Sequence, residues 1–179
     1  MRLIACSLAL LLFAVTAGAE PIGYYRVPGV SYDPAITTPD AYFGFGLGDR
    51  PVRHDQLVGY LRTIAKQSPR LTVETIGRSH EGRPILFFVV ASEANHARIK
   101  EIRAAHLSRL DPDRPDTDGP AIIWLNYGVH GAESAGMDAA IPALYHFAAA
   151  RGPKIDATLR DAVILVTAIF NPDGHSRRI

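Results

Sequence analysis

Residues 162–170 read AVILVTAIF and residues 121–127 read AIIWLNY, two apolar runs separated by a stretch of small residues. That stretch, residues 134–150 (SAGMDAAIPALYHFAAA), predicts a helix in which Pro142 is tolerated or produces a kink. Continuous apolar runs of this length predict strands that are buried on both faces. A strand, a helix and a second strand in this order predict a right-handed parallel crossover. The fold predicted from these residues is therefore α/β.

The preceding residues predict an antiparallel addition to this sheet. Apolar residues recur at helical spacing after Asp55, which can cap a helix, and Pro69 ends that helix. Residues 71–76 then alternate in polarity and residues 85–91 are continuously apolar, so the turn between them predicts an antiparallel pair of strands. Residues 94–109 are charged and rich in Ala and predict a further helix. The whole pattern indicates a mixed sheet.

The composition is that of one ordinary globular domain. The chain has 179 residues, 47% of them hydrophobic and 21% charged, which argues against a disordered or fibrous protein. Nineteen Lys and Arg stand against eighteen Asp and Glu, so the charge gives no reason to expect a nucleic-acid partner. Residues 20–52 are rich in Pro, Gly and aromatic residues and predict an extended N-terminal arm that packs onto the domain of residues 53–179.

Residues 1–19 carry the pattern of a secretory signal peptide. Arg2 supplies the positive start, residues 8–15 form the apolar segment, and Ala19 completes the small-residue pattern that signal peptidase reads. The apolar segment is too short to span a bilayer, so we expect an exported protein, periplasmic or secreted, without a membrane span. Cys6 is the single cysteine and would leave with the signal, which excludes disulfides and cysteine-based zinc sites from the mature protein.

A His-Gly-Ala-Glu sequence, residues 130–133, follows the buried strand predicted for residues 121–127. His130 and Glu133 are three positions apart, which places both side chains on one side of a helical turn, within reach of one ion. They lie where a parallel sheet binds its ligands, beyond the carboxyl end of a strand. Zinc accepts nitrogen and oxygen ligands and supports hydrolysis when one position stays open. The alternative is that His130 caps the helix and Glu133 complements its positive N-terminus.

Residues 171–174 (NPDG) end the strand predicted for residues 162–170 and, taken alone, predict a tight turn. His175 follows directly and is the only later histidine, and Arg177 and Arg178 are most simply surface charges. We expect the other histidines of the mature chain to be solvated or structural: His54, His80, His96, His106 and His146.

Three segments carry a resemblance to a known family: residues 76–85 (IGRSHEGRPI), 130–134 (HGAES) and 170–174 (FNPDG). In order and spacing they resemble the successive N-terminal signatures of the M14 zinc carboxypeptidases. The resemblance implies a three-layer α/β/α sandwich around a mixed, largely eight-stranded sheet. It also implies Zn²⁺ bound by His130 and Glu133, and hydrolysis of the C-terminal bond of a peptide substrate.

The resemblance begins near residue 55, and the turn of residues 77–83 then has a structural role. The family's third zinc ligand, its substrate-carboxylate-binding Asn-Arg pair, its substrate-flanking Tyr and its general-base Glu are expected beyond Ile179. We therefore expect a truncated catalytic domain that is inactive by itself. Ala132 stands where the best-studied members carry Arg, and the resulting His-Gly-x-Glu form resembles related deacylases. A zinc deacylase, a cell-wall peptide amidase and a non-catalytic exported module stay open as alternatives.

Overall fold

The computed structural model describes residues 22–113 and 118–179. The predicted signal peptide, residues 1–19, lies outside the described residues, and its assignment stays a prediction. None of the helices in the two described ranges combines the length and the apolar character that crossing a membrane requires.

Eight helices, one 3₁₀ helix and six strands make up the described ranges. The helices are α1 (Pro39–Phe43), α2 (His54–Gln67), α3 (Glu93–Ala97), α4 (Ile99–Ser108), α5 (Ser134–Asp138), α6 (Ala140–Ala149), α7 (Pro153–Asp161) and α8 (Pro172–Ser176), and the 3₁₀ helix is Ile22–Tyr25. The strands are β1 (Ser31–Tyr32), β2 (Leu71–Arg78), β3 (Pro84–Val90), β4 (Ala121–Asn126), β5 (Ala150–Arg151) and β6 (Ala162–Thr167).

The main sheet has the strand order β2-β3-β6-β4. Strand β3 pairs antiparallel with both β2 and β6, whereas β4 and β6 are parallel, in register from Ala121 opposite Ala162 to Asn126 opposite Thr167. The predicted mixed sheet, the antiparallel β2–β3 pair and the parallel β4–β6 pair are confirmed. The sheet has four strands within the described residues, against the eight that the resemblance implies for a whole domain.

Helices cover the sheet on both faces. On one face α2 and α6 pack against the strands, and the core there includes Tyr60 and Leu144 from the helices and Phe88 and Ile164 from the sheet. Because neighbouring residues of a strand point to opposite faces, Val163 lies on the other side, where it packs with Ala91 and with Ile102 of α4. The predicted three-layer α/β/α arrangement is therefore the observed one.

Two predicted helices are each divided in two. The helix predicted for residues 134–150 ends at Asp138 and restarts at Ala140 as α6. Pro142 then falls in the first turn of α6, where backbone N–H groups have no acceptor within the helix, so the absence of an N–H on proline costs no hydrogen bond. The proline therefore marks the start of a helix and does not produce a kink. The helix predicted for residues 94–109 is likewise interrupted at Arg98, whose backbone is not helical.

Two local features were wrongly assigned or missed. Asp55 does not cap α2, since the cap position is Arg53, whose backbone N–H donates to Gln56 Oε1 over 3.2 Å. The carboxylate of Asp55 binds the Arg53 side chain instead. Helix α7 received no prediction, although Gly152 followed by Pro153 is a recognisable helix start.

Strand β4 is not the buried strand that its apolar sequence predicts. Trp124 is 59% exposed, and Ile123 is also exposed. Within the described ranges β4 pairs on one side only, with β6, and so has a free edge. Strand β6 has a neighbour on both sides and is buried along nearly its whole length. Equal hydrophobicity thus gives unequal burial because the two strands hold different places in the sheet.

The arm preceding α2 contains short elements. Strand β1 pairs antiparallel with β5, and the ring of Tyr32 stacks on that of Tyr145 with 5.7 Å between centroids. Phe43 and Phe45 stack on each other and pack against the main core. These aromatic contacts connect the arm to α2 and α6, while the domain boundary at residue 52 stays a prediction.

Leu144 provides a test of this core, because it is fully buried between α6 and the sheet. We expect Leu144→Ala to lower the free energy of unfolding by about 2–5 kcal/mol, through lost burial and the cavity left behind. The matched control is Leu110→Ala, since Leu110 is 81% exposed and its truncation should change stability by less than about 0.5 kcal/mol. Urea denaturation measures both, and equal effects would contradict the core described above.

Candidate metal centre

The candidate site lies where β4 and β6 end at the same edge of the sheet. Beyond the strands the two chains stay paired: the Tyr127 N–H donates to Thr167 O over 2.9 Å, and the Asn171 N–H to Gly128 O over 2.9 Å. We name residues 128–133 the HGAE loop and residues 170–175 the NPDG segment. Parallel pairing therefore delivers both sequence motifs to one place.

Gly128 allows the HGAE loop to turn back towards α5. Its φ is +64°, a left-handed conformation that L side chains rarely adopt. A Cβ at this position would also lie 2.5 Å from Cγ of the buried Met137. Glycine is thus required here both by the backbone conformation and by packing.

His130 and Glu133 lie together in the structure, as the spacing predicts. Nδ1 of His130 is 3.4 Å from Oε1 of Glu133, and the two side chains are 76% and 71% exposed. They belong to a turn closed by the Glu133 N–H on His130 O at 3.0 Å, and α5 begins only at Ser134. The expectation of a helical turn is therefore wrong, although a turn ahead of the helix brings the side chains equally close.

The donor types of this pair fit zinc. One imidazole nitrogen and one carboxylate oxygen, adjacent and open to solvent, can share a single ion, and both are ordinary zinc ligands. Within residues 22–113 and 118–179, no group of three or more His, Cys, Asp or Glu side chains is placed to hold a metal. The described chain thus supplies two coordination positions out of the four usual for zinc.

The NPDG segment forms the start of the short helix α8 and not an isolated turn. Asn171 caps α8, since its Oδ1 accepts the N–H of Gly174 over 3.0 Å, and Pro172 occupies the first helical position. Asparagine and proline are common at these positions, so this signal was available in the sequence.

Asp173 connects the NPDG segment to the β2–β3 turn. Its Oδ1 accepts hydrogen bonds from Ser79 Oγ at 2.6 Å and from Arg83 Nη1 at 2.7 Å, and its Oδ2 accepts the N–H of Glu81 at 3.0 Å. Desolvation acts to raise the pKa of Asp173, but the hydrogen bonds from Ser79, Arg83 and Glu81 outweigh it and lower the pKa to about 2. The turn of residues 77–83 is thus anchored by a carboxylate ninety residues further along the chain.

Glu81 extends this network to the end of α8. Its carboxylate pairs with Arg83 and, at 2.5 Å, with Arg177. The guanidinium groups of Arg83 and Arg177 lower the pKa of Glu81. Arg177 lies at the surface, as the sequence suggests, with a side chain that is 70% exposed, and it forms an ion pair with Glu81. Sequence reasoning gave the turn of residues 77–83 a structural role but did not find these contacts, because the partners are far apart in the chain.

Within the described residues none of the remaining histidines joins the pair in a group of three potential ligands. His175 is fully buried and its Nε2 lies 2.8 Å from Val52 O. His54 and His96 each place Nε2 near a backbone carbonyl, and Nδ1 of His146 lies 2.8 Å from the Tyr32 hydroxyl. His80 and His106 are exposed.

Comparison with known proteins identifies the family. Residues 57–178 match the family model of the M14 peptidases, described as zinc carboxypeptidase. Since this match covers more than half of the chain, the protein belongs to the M14 zinc carboxypeptidase family.

Curated carboxypeptidases of two fungi are similar to this chain. The chain is 30% identical over 165 residues to Carboxypeptidase 2 of Trichophyton equinum and 28% identical over 166 residues to that of Trichophyton rubrum. Each match covers 90% of this chain but only 27% of the relative, so the chain spans about a quarter of the length of these proteins.

The solved structures show the shared fold. Thrombin-activatable fibrinolysis inhibitor superposes with a TM-score of 0.51 at 12% identity, covering 81% of this chain and 30% of that protein. Carboxypeptidase A from Helicoverpa armigera superposes with a TM-score of 0.50 at 20% identity, covering 71% and 26%. The predicted carboxypeptidase-like fold is confirmed.

The lowered pKa of Asp173 predicts how stability depends on pH. Its folded-state value of about 2 lies below the ordinary 3.8, so the ionised carboxylate stabilises the fold above about pH 4. This contribution is lost as the pH falls from about 4 to 2. Asp173→Asn should therefore be less stable than the wild type near neutrality, and the difference should shrink below pH 4. Chemical denaturation at several pH values measures it, and a pH-independent difference would contradict the anchoring described here.

Proposed function

We propose that this chain belongs to a zinc-dependent carboxypeptidase that hydrolyses the C-terminal bond of peptides, with His130 and Glu133 as zinc ligands. The observation that carries the proposal is the 3.4 Å approach of Nδ1 to Oε1 at the exposed sheet edge. The alternative of a helix cap receives no support from the structure, since Glu133 occupies the N-cap position of α5 without a side-chain hydrogen bond to the helix. Family membership supports the same reaction class.

Zinc, when bound, would polarise the scissile carbonyl and lower the pKa of a bound water. The contribution of this chain is to present two donors on a turn fixed at the ends of two parallel strands. His130 would donate a nitrogen lone pair from Nδ1, and the Glu133 carboxylate would offset part of the ion's charge. The third ligand, the general base and the group that binds the substrate's carboxylate are proposed to lie outside the described residues. The described chain should therefore bind zinc weakly and turn over little.

A zinc deacylase is the second candidate, and Ala132 is the observation that favours it. A methyl group between the two ligands offers no guanidinium for a substrate carboxylate. Cell-wall peptide amidases share the same ligand pair. We further propose export of the protein, on the basis of the signal-like residues 1–19.

Zinc titration tests the ligand assignment. Isothermal titration of Zn²⁺ into the wild type should show binding that disappears in His130→Ala, because one of two donors is lost. Glu133→Gln should weaken binding at least about tenfold, since it removes the charge that favours the cation. His106→Ala is the matched control, because His106 is exposed on α4 and should not contribute.

Identical heats for the wild type and His130→Ala would remove the proposed site and leave a non-catalytic module. If zinc binds as proposed, chelator-sensitive release of a C-terminal amino acid from a peptide would separate a carboxypeptidase from a deacylase. Ordinary carboxypeptidase rates from residues 20–179 alone would contradict the expectation that further residues are needed.

A further inference from the structure

The HGAE loop and the NPDG segment touch through two glycines. A Cβ added to Gly131 would lie 2.5 Å from Cα of Gly174 and 2.6 Å from the backbone nitrogen of His175. A Cβ added to Gly174 would lie 3.0 Å from Cα of Gly131. Real Cβ atoms essentially never lie within 3.0 Å of a backbone atom, so Gly131 admits no side chain and the two backbones pack directly against each other. Gly131 directly follows His130, so the position of Gly174 limits where the turn that carries His130 and Glu133 can lie.

The side chains of His130 and Glu133 do not hold the turn in place. In the described part of the chain their only polar side-chain contact is with each other. Metal ligands are usually oriented by further hydrogen-bonding partners, which fix their geometry. In this protein the backbone of the turn must perform that role.

The position of Gly174 is fixed by the preceding residue, Asp173. The Asp173 carboxylate is buried and accepts three hydrogen bonds from the β2–β3 turn, including the ion pair with Arg83. Ser79 Oγ also accepts the N–H of Arg83 over 3.0 Å, so the turn is organised around the carboxylate. A chain of direct contacts therefore runs from strand β3 through Arg83, Asp173 and the two glycines to the turn.

We infer that Asp173 is a positioning residue for the metal centre: bound by Arg83 and Ser79, it holds Gly174 against Gly131 and so sets the geometry of the His130–Glu133 pair. This inference rests on the proposed function for its metal. It assigns to the IGRSHEGRPI and NPDG motifs a common purpose, since each supplies one half of the Arg83–Asp173 pair.

The test compares the Zn²⁺ affinity of variants of the full chain. Asp173→Asn and Arg83→Gln should each weaken zinc binding by about tenfold, the lower end of the effect of supporting residues at metal sites. Arg83→Lys, which retains the charge, should restore part of the affinity. Arg70→Gln is the matched control, because it breaks an ion pair of similar length, Arg70–Asp156 at 2.6 Å, remote from the turn. It should lower stability without changing zinc affinity.

A second measurement separates positioning from a general loss of stability. At a temperature where circular dichroism shows every variant folded, the amide NMR signals of residues 129–134 should shift in Asp173→Asn and not in Arg70→Gln. Should Asp173→Asn fail to fold, Ser79→Ala removes one of the three hydrogen bonds to the same carboxylate, together with the bond that Ser79 Oγ accepts from the Arg83 N–H, and should weaken zinc binding in the same direction, by less.

The outcomes distinguish the two proposals. If His130→Ala abolishes zinc binding while Asp173→Asn and Ser79→Ala bind as tightly as the wild type, the positioning role is wrong and the proposed site stands. If the wild type and His130→Ala take up zinc identically, the proposed site is wrong. Equal loss of affinity in Arg70→Gln would reduce the effect to stability and would also overturn the positioning role.

Discussion

The parallel pairing of β4 with β6 is the constraint on which the site depends. Two parallel strands in register end at the same edge, so the HGAE loop and the NPDG segment leave the sheet side by side. Backbone hydrogen bonds then continue the pairing past the strands, from Tyr127 to Asn171. An antiparallel arrangement would have sent the two motifs to opposite edges. The contact between Gly131 and Gly174 follows from this register, and the antiparallel pairing of β3 with β6 adds the β2–β3 turn beside Asp173.

Rigid and exposed parts of the site are separated. The donors His130 and Glu133 are open to solvent, whereas the groups behind them are packed or buried: Gly128 against Met137, Gly131 against Gly174, and Asp173 within its hydrogen bonds. An exposed pair can exchange ions and meet a substrate. The packed glycines and the buried carboxylate hold that pair without hydrogen bonds to the side chains of His130 and Glu133. The site thus obtains its geometry from glycines and a carboxylate that never reach the proposed metal.

Much of the fold could be predicted from local patterns. Hydrophobic periodicity predicts β2, β3, β6 and α2, because the period and length of an apolar pattern report directly on burial. The order strand, helix, strand predicts the parallel crossover. Two of the differences have a tertiary cause, whereas helix α7 and the Asn171 cap of α8 carry local signals in the sequence. Burial of β4 depends on what lies beside it, and the break before Ala140 depends on how α5 and α6 pack, which neighbouring residues in the sequence do not encode.

The sequence by itself determined the family and the sheet type and suggested the residues proposed to hold a metal, since spacing and residue chemistry are local properties. His130 and Glu133 are three positions apart in any conformation of the chain. Tertiary structure alone decided that Asp173 meets Arg83, that Arg177 pairs with Glu81, and that Gly131 requires Gly174 beside it. Those contacts join residues that are 43 to 96 positions apart, and only the folded backbone brings such groups into contact.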